Sequence, residues 1–458
     1  MEKTTAIILA AGAGTRMKSK FPKVVHRVCG KSMVEHVIHV AKCSDCEETV
    51  VVIGHGADVV KETVKEDVHF VLQREQLGTG HAVAQAKEYI KDEGYVLLLY
   101  GDTPLIQAHT LKAMIKYHKE NSLGATVLTA HVDNPYGYGR IVKDSTGYVE
   151  KIVEHKDANE EELKITEINS GMYLYDAKLL KESLGLLNNN NSQREYYITD
   201  VVGILNDKGH KVGSYVLEDM EEILGVNSRV QLAQAEKIMR DRTLNKLMDN
   251  GVTLIDPNNT YIDAHVEIGQ DTIIYPGAII KGNTIIGNEC IIGHNTRIEN
   301  STIKDKVEIQ SSTIIDSFVD EETIVGPYAY LRPNSKIGKK AKIGDFVEVK
   351  NATIGDNSKA SHLAYIGDAQ VGSGVNIGCG VVFVNYDGKN KHKTIVEDNA
   401  FVGSNCNLVA PVTIKENSYI ATGSTITKEV PEGALSVARQ KQRNIEGWVE
   451  RKGLLKNK

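Results

Sequence analysis

The chain has 458 residues, 41% of them hydrophobic, and sets 54 Lys and Arg against 60 Asp and Glu for a formal net charge of −6. That length supports two or three domains with full cores, and the charge balance excludes a general attraction to nucleic acid or an anionic membrane, so any phosphate binding must be local. The N-terminal apolar run, Thr5 to Ala11, is shorter than a usual export signal and leads straight into a glycine loop, so a cytoplasmic enzyme without a membrane span, acting on small molecules, is expected.

From residue 4, apolar strands at Thr5–Leu9, Thr49–Ile53, His69–Leu72 and Tyr95–Tyr100 alternate with helical stretches. This pattern predicts a doubly wound α/β sheet, whose ligand site lies beyond the carboxyl ends of the strands. After the first strand come Leu9, Ala10, Ala11, Gly12, Ala13, Gly14, Thr15, Arg16 and Met17, followed by Pro22 and Lys23. Glycines allow close backbone approach, N–H groups hold phosphate oxygens, and Arg16 and Lys23 add charge. The loop is not a dinucleotide fingerprint, since Met17 stands where the third glycine belongs, and it lacks the GK[ST] of a Walker loop. Of six cysteines only Cys43 and Cys46 have a metal-like spacing; a single CxxC reads here as two thiols at a helix end.

A long helical pattern, about Ser228 to Asn250, carries apolar residues at 230, 238, 244 and 247 and is expected as an interdomain linker. Beyond it isoleucine returns every sixth residue at 262, 268, 274, 280, 286, 292 and 298. A small residue stands two positions before the later ones: Thr272, Ala278, Thr284, Cys290 and Thr296. The period reappears at Ile337, Ile343 and Val349 and at Val402, Leu408, Ile414, Ile420 and Ile426, with Gly338, Gly344, Gly403 and Gly423 expected at turns. Such a period predicts a parallel β-helix with three flat faces per coil, because β-sandwich strands keep no fixed six-residue register. The polar segment Asn385–Thr394 is expected to project as a binding loop. The tail from Pro431, basic around Trp448, ends either as a packed arm or as disordered chain.

The repeats resemble the hexapeptide-repeat acyltransferases, which implies a left-handed coil. The first-strand loop, Gln73, Gln76 to Gly80, Tyr100-Gly101-Asp102, Tyr138 to Ile141, Val153-Glu154, Ile168 to Gly171 and Gly225 to Asn227 together resemble the nucleotidyltransferase domain of sugar-nucleotide pyrophosphorylases. In combination, the chain resembles the bacterial bifunctional N-acetylglucosamine-1-phosphate uridylyltransferase/glucosamine-1-phosphate N-acetyltransferase family. The resemblance implies a uridylyltransferase domain at 1–229, a helical linker at 230–250 and an acetyltransferase β-helix with its tail at 251–458. It also implies two steps: acetyl-CoA acetylates glucosamine 1-phosphate, then the product reacts with UTP to give UDP-N-acetylglucosamine and pyrophosphate.

By the same resemblance Arg16 and Lys23 are catalytic, and Leu9, Ala10, Ala11, Gly12, Lys23, Gln73, Gly78, Thr79, Tyr100 and Gly101 hold the nucleotide. Gly139, Glu154 and Asn169 hold the sugar, and Asp102 and Asn227 hold Mg²⁺. Taken alone, Asp102 reads first as a strand-end turn residue and Asn227 as a helix cap beside Ser228, a role that Asn227 can combine with metal binding. For acetyl transfer the resemblance selects His362 as general base among 15 histidines. It puts Arg332, Lys350, Tyr365 and Asn376 on glucosamine 1-phosphate, and Cys379, Asn385, Tyr386, Ser404, Thr422 and Arg439 on acetyl-CoA. Cys379 and Thr422 stand where relatives commonly carry alanine, and backbone or side-chain contact remains open at both. A homotrimer built through the β-helix is also implied. Two rival readings are a pyrophosphorylase whose prism only joins subunits, and a silent scaffold. His362, Lys350 and Arg332 in one prism argue against the first, and intact Arg16, Lys23 and Asp102 against the second.

Overall fold

The computed structural model describes residues 3–454 and divides into two compact units, Met1–Arg242 and Thr243–Lys458. The first is built on a nine-stranded sheet. Thr4–Ala10 pairs in parallel with Glu48–Ile53 on one side and Tyr95–Tyr100 on the other, and Glu48–Ile53 continues to His69–Leu72. All seven residues of Thr4–Ala10 are buried, as a strand covered on both faces must be. Beyond Tyr95–Tyr100 the sheet turns mixed: Glu167–Asp176 runs antiparallel between Tyr95–Tyr100 and Ala125–His131. It also carries the hairpin Arg140–Lys143/Val149–Val153. Helices cover both faces, the first of them, Met33–Cys43, closed by a capping box in which Ser32 Oγ accepts the Glu35 N–H and Glu35 returns a carboxylate to the Ser32 N–H.

The helix expected as a linker runs from Arg229 to Asp249. Ala235 is buried in a cluster with Val28, Met33, Leu105 and Val226, which Ile238 joins, whereas Leu244 and Leu247 belong to the core of the second unit. Val230, one of the four apolar residues noted in the expected linker, is 69% exposed.

The second unit is a prism of two- and three-residue strands, with two of nine residues at Lys342–Lys350 and Lys359–Gly367, paired in parallel from coil to coil. Ile274 sits opposite Ile292, Ile280 opposite Ile298 and Ile286 opposite Ile303. These isoleucines are buried, with Ile268 only partly so, and each small-residue position from Thr272 to Thr296 is at most 1% exposed. Many corners lie in the left-handed region at Asp, Asn or Lys, as at Asp271, Asn295, Asn334 and Lys340. The expectation that glycines mark turns holds for Gly423, with φ +75°, and for Gly338 and Gly403, which directly precede the corner turns at 339–340 and 404–405, and fails for Gly344. Gly344 lies inside the long strand Lys342–Lys350, and a Cβ there would stand 1.9 Å from the Ser361 carbonyl oxygen. A Cβ on Gly338 would meet Asp356 Oδ1 at 2.5 Å, and one on Gly403 the Ile420 carbonyl at 2.7 Å. Closeness of the next coil, not a positive φ, requires these three glycines.

Thr353 pairs with Gln370, but Gln370 pairs with Ile395, and the longer second step is the expected loop. Its ends, Asn385 and Thr394, are buried, while Tyr386 is 57% exposed. In the tail, Leu435–Ser436 joins the ladder beside Tyr419–Ile420, and Trp448–Arg451 forms one exposed helical turn. Residues 455–458 of that tail lie outside the described residues.

Candidate active sites in the two units

In the first unit the expected nucleotide residues other than Gly101 line one cleft of about 310 Å³ together with the expected metal ligand Asp102: Leu9, Ala10, Ala11, Gly12, Lys23, Gln73, Gly78, Thr79 and Tyr100. Leu9 to Gly12, Gln73, Tyr100 and Asp102 stand at or just after the carboxyl ends of parallel strands, Gly78 and Thr79 open the helix Thr79–Gln85, and Lys23 comes from the single turn Lys23–Val25. A Cβ on Gly12 would meet nothing within 4 Å, so its backbone lies open to a ligand. Gly14, at φ +62°, does different work: a Cβ there would stand 2.6 Å from Lys23 Cβ, so this glycine lets Lys23 come close. Gln73 is buried, its amide donating to the Gly78 carbonyl at 3.2 Å and facing His81 Nδ1 at 3.1 Å. Arg16 sits on the single turn Thr15–Met17, exposed and outside the cleft lining.

The Lys23 ammonium donates to Asp102 Oδ2 and, at 2.8 Å, to Asn227 Oδ1. Asn227 is brought there by the Val226 N–H, which donates to the Asp102 carbonyl at 2.9 Å. It is not the side-chain cap of the following helix, because Ser228 Oγ accepts the Gln231 N–H. Two oxygens therefore converge on one cation, a donor set that fits Mg²⁺, which takes few protein oxygens and completes its octahedron with water and phosphate. Among the described residues there is no group of three or more His, Cys, Asp or Glu that could hold a metal. The CxxC is unbridged, and burial pushes the Cys46 thiol up to about 12.

Gly139, Glu154 and Asn169 also come together. The Asn169 N–H donates to the Gly139 carbonyl at 2.9 Å, and Glu154 Oε1 lies 3.6 Å from where a Gly139 Cβ would stand. Burial, with Asp157 and Asp200 nearby, pushes the Glu154 carboxyl up. Burial pushes the Tyr100 hydroxyl up as well, and both Asp102 and Glu154 add to it, so Tyr100 links the two groups. Gln76 and Glu195 also line the cleft. Gln76 lies within a quoted motif; Glu195 comes from a polar segment with no pattern to mark it.

On the prism, Arg332, Lys350 and Tyr365 share one face with Glu348. Arg332 Nη1 pairs with Glu348 Oε1 at 2.7 Å, and Glu348 is the ladder partner of Tyr365. Tyr365 OH accepts from Asn385 Nδ2 at 3.3 Å, and Asn385 also donates to Asp368 Oδ2. Burial pushes the Asp368 carboxyl up, but donors on Asn351 and Asn385 and the charges of Lys350 and Lys391 bring it below the usual range. The Lys350 ammonium pushes neighbouring Lys391 down, and sequence reasoning missed this lysine although it lies within the expected loop. A cavity of about 600 Å³ opens on the next face, where Asp368 and Lys391 are joined by Lys336, His392 and Lys393. None of the expected acetyl-transfer residues lines it.

His362 stands at another corner, Nδ1 2.9 Å from Asp345 Oδ1. Carrying the ladder register round this corner sets Cys379, Ser404 and Thr422 on the coils that follow. Backbone bonds agree: the Gly380 N–H donates to the Leu363 carbonyl at 2.6 Å, Asn405 to Cys379 at 2.7 Å and Gly423 to Ser404 at 2.9 Å. Arg439 Cδ lies 3.9 Å from where a Gly423 Cβ would stand. One column thus holds His362, Cys379, Ser404, Thr422 and Arg439, while Asn385 joins the Tyr365 face. Asn376 lies on the neighbouring face, between Lys359 and Phe401 in the ladder.

Two family models match these two architectures. The nucleotidyl transferase model covers residues 5–240, and the bacterial transferase hexapeptide model, of six repeats, covers 265–300 and 393–428. The bifunctional protein GlmU of Clostridioides difficile strain 630 is 63% identical over 447 residues, covering 98% of this chain and 97% of the relative. That of Alkaliphilus oremlandii strain OhILAs is 63% identical over 454 residues, covering 99% and 100%. That of Clostridium acetobutylicum is 56% identical over 453 residues, covering 98% and 99%. The chain belongs to the bifunctional GlmU family. Its second unit is the left-handed parallel β-helix of hexapeptide repeats. It is an enzyme with two transferase activities that make UDP-N-acetylglucosamine: acetyl transfer from acetyl-CoA to glucosamine 1-phosphate, then uridylyl transfer from UTP with release of pyrophosphate. Among the described residues no helix is long and apolar enough to cross a membrane.

Proposed function

We propose that uridylyl transfer belongs to residues 1–229 and acetyl transfer to residues 251–458, with 230–250 joining them. In the first unit the reading rests on the Lys23 ammonium held between Asp102 and Asn227 in the cleft. The attacking sugar phosphate is already anionic at neutral pH, since a phosphate monoester loses its second proton near pKa ~6. No general base is needed; the task is to align groups and neutralise charge. Lys23, with Arg16 reaching in from the exposed turn, neutralises phosphate oxygens. Leu9 to Gly12, Gln73, Gly78, Thr79, Tyr100 and Gly101 orient UTP, and Gly139, Glu154 and Asn169 orient the sugar. Asp102 and Asn227 would hold Mg²⁺, which when bound offsets charge on the polyphosphate.

For acetyl transfer the amine must lose a proton as it attacks the thioester, a task suited to His362. Arg332 and Lys350 hold the substrate phosphate, Tyr365 and Asn376 the sugar. Cys379, Ser404, Thr422 and Arg439 track acetyl-CoA along their column, with Asn385 and Tyr386 meeting it from the loop. These groups lie open over two faces and a corner of one prism, which supports a homotrimer that closes each site with a neighbouring copy. Outward apolar ladders, among them the stacked Phe401 and Tyr419, centroids 5.0 Å apart, support the same association. Six unbridged cysteines and substrates drawn from central metabolism support a cytoplasmic setting.

The test is the full chain incubated with glucosamine 1-phosphate, acetyl-CoA, UTP and Mg²⁺, one component omitted at a time, in wild type and two variants. Asp102→Ala should abolish UTP turnover and spare acetylation. His362→Ala should lower acetylation by ~10² to 10⁴ and spare uridylyl transfer. Loss of both activities in either folded variant would sink the division of labour.

A further inference from the structure

We propose that Asp345 is a positioning residue for acetyl transfer, its carboxylate holding the His362 ring in the tautomer and orientation that leave Nε2 free to take the proton from the attacking amine. This rests on the reading of His362 as the general base. Asp345 and His362 are ladder partners on the long strands Lys342–Lys350 and Lys359–Gly367, which run on round the corner where most others break. The two coils are pressed together at that corner, since a Cβ on Gly344 would stand 1.9 Å from the Ser361 carbonyl. Phe346, in the left-handed region at φ +59°, stacks on Tyr328 with centroids 5.6 Å apart, so the backbone next to Asp345 is fixed.

Chemistry then selects one tautomer. A backbone hydrogen bond at Asp345 itself, with His362 beside it, holds this carboxyl below the usual range, so it is ionised at neutral pH and offers only acceptors. Nδ1, 2.9 Å away, must therefore carry a hydrogen, and in a neutral ring that makes Nε2 the acceptor. The amine proton passes to Nε2 as the amine nitrogen bonds the acetyl carbon, and the proton goes on to sulfur as the C–S bond breaks and CoA leaves. With side chains 40% and 63% exposed, solvent screens the pair's charge, so its contribution is orientation more than attraction. Lys342, whose charge also lowers the Asp345 carboxyl, and its ladder partner Lys359 carry ammonium groups, which offer Nδ1 no acceptor in place of the carboxylate.

The experiment compares full-length Asp345→Ala, Asp345→Asn and His362→Ala. Asp345→Ala should lower kcat for acetylation about tenfold to a hundredfold, part of the ~10² to 10⁴ a base supplies, with KM for both substrates within about twofold. Asp345→Asn, whose amide oxygen can accept the same bond, should recover most of that loss. ¹⁵N spectra of the His362 ring should show a single Nδ1–H tautomer in wild type and Asp345→Asn, and a mixture in Asp345→Ala. An unchanged circular dichroism spectrum and thermal unfolding midpoint of the prism report that each variant is folded. Wild-type kcat in Asp345→Ala beside an inactive His362→Ala overturns the positioning role alone, and so does an unchanged tautomer. An active His362→Ala overturns the general-base reading and this inference with it.

Discussion

Lys23 and a divalent cation would compete for the same two oxygens, Asp102 Oδ2 and Asn227 Oδ1, since the ammonium now donates to both. The lysine side chain can swing to a phosphate only by releasing them, so metal entry is coupled to that movement. Lys23→Met should therefore tighten Mn²⁺ binding to the nucleotide-free protein, read by the loss of the free-ion EPR signal, while uridylyl transfer falls. Equal or weaker Mn²⁺ binding would mean that Lys23 does not guard these oxygens. Lys23, Asp102 and Asn227 were legible because each sits in a short motif, Asp102 just past a strand end, Lys23 in the turn Lys23–Val25 and Asn227 just ahead of the helix Arg229–Asp249. Asp345 and Glu195 were not: Asp345 acts on a residue one coil away, and Glu195 reaches the cleft from a loop, distances that no local pattern records.

At the level of elements, periodicity was the strongest signal, because an inward side chain every sixth residue is a direct image of the ladder. Ile298, fully buried between Ile280 and Ile314, should cost about 2–5 kcal/mol when cut to alanine, measured by denaturant unfolding. Gly344 was misread as a turn because sequence shows that a residue is small and not which coil presses on it. The antiparallel strand Glu167–Asp176 escaped notice because an apolar run carries no mark of direction. In the loop, Asp387 accepts the N–H groups of Lys389 and Asn390 at 2.8 and 2.7 Å and faces His392 Nε2 at 2.7 Å. The Asn390 backbone bond first, then His392, brings this carboxyl to about 2. A depressed carboxyl stabilises the loop above its ordinary pKa of ~3.9, and that contribution is lost as pH falls toward about 2. Amide exchange at Lys389 and Asn390, corrected for intrinsic rates, should be flat from neutral pH to about 4 and rise below it. Asp387→Ala should show the faster exchange already at neutral pH.

For the whole molecule the helix Arg229–Asp249 decides how the chain can be cut. Its apolar residues do not form one stripe, since Ala235 serves the first unit while Leu244 and Leu247 serve the second, and a helix divided in this way reads in sequence as a polar linker. Its stretch up to Arg242 is tied down by more than Ala235. Glu236 Oε2 accepts the Cys29 N–H at 2.7 Å, and Arg242 donates to the Leu105 carbonyl at 2.7 Å and to Asp219 at 2.8 Å. A fragment ending at Arg229 should thus keep uridylyl transfer but be less stable than one ending at Arg242. Losing one small buried side chain and several hydrogen bonds at ~1 kcal/mol each puts the difference at roughly 2–5 kcal/mol. Likewise a prism fragment from Thr243, which retains Leu244 and Leu247 over the first coil, should unfold at a higher temperature than one from Gly251. Thermal unfolding of the four fragments, with both activities assayed on each, checks the argument. Equal stability within each pair would reduce the helix to a linker, and folded fragments lacking both activities would mean that neither site is complete within its own unit.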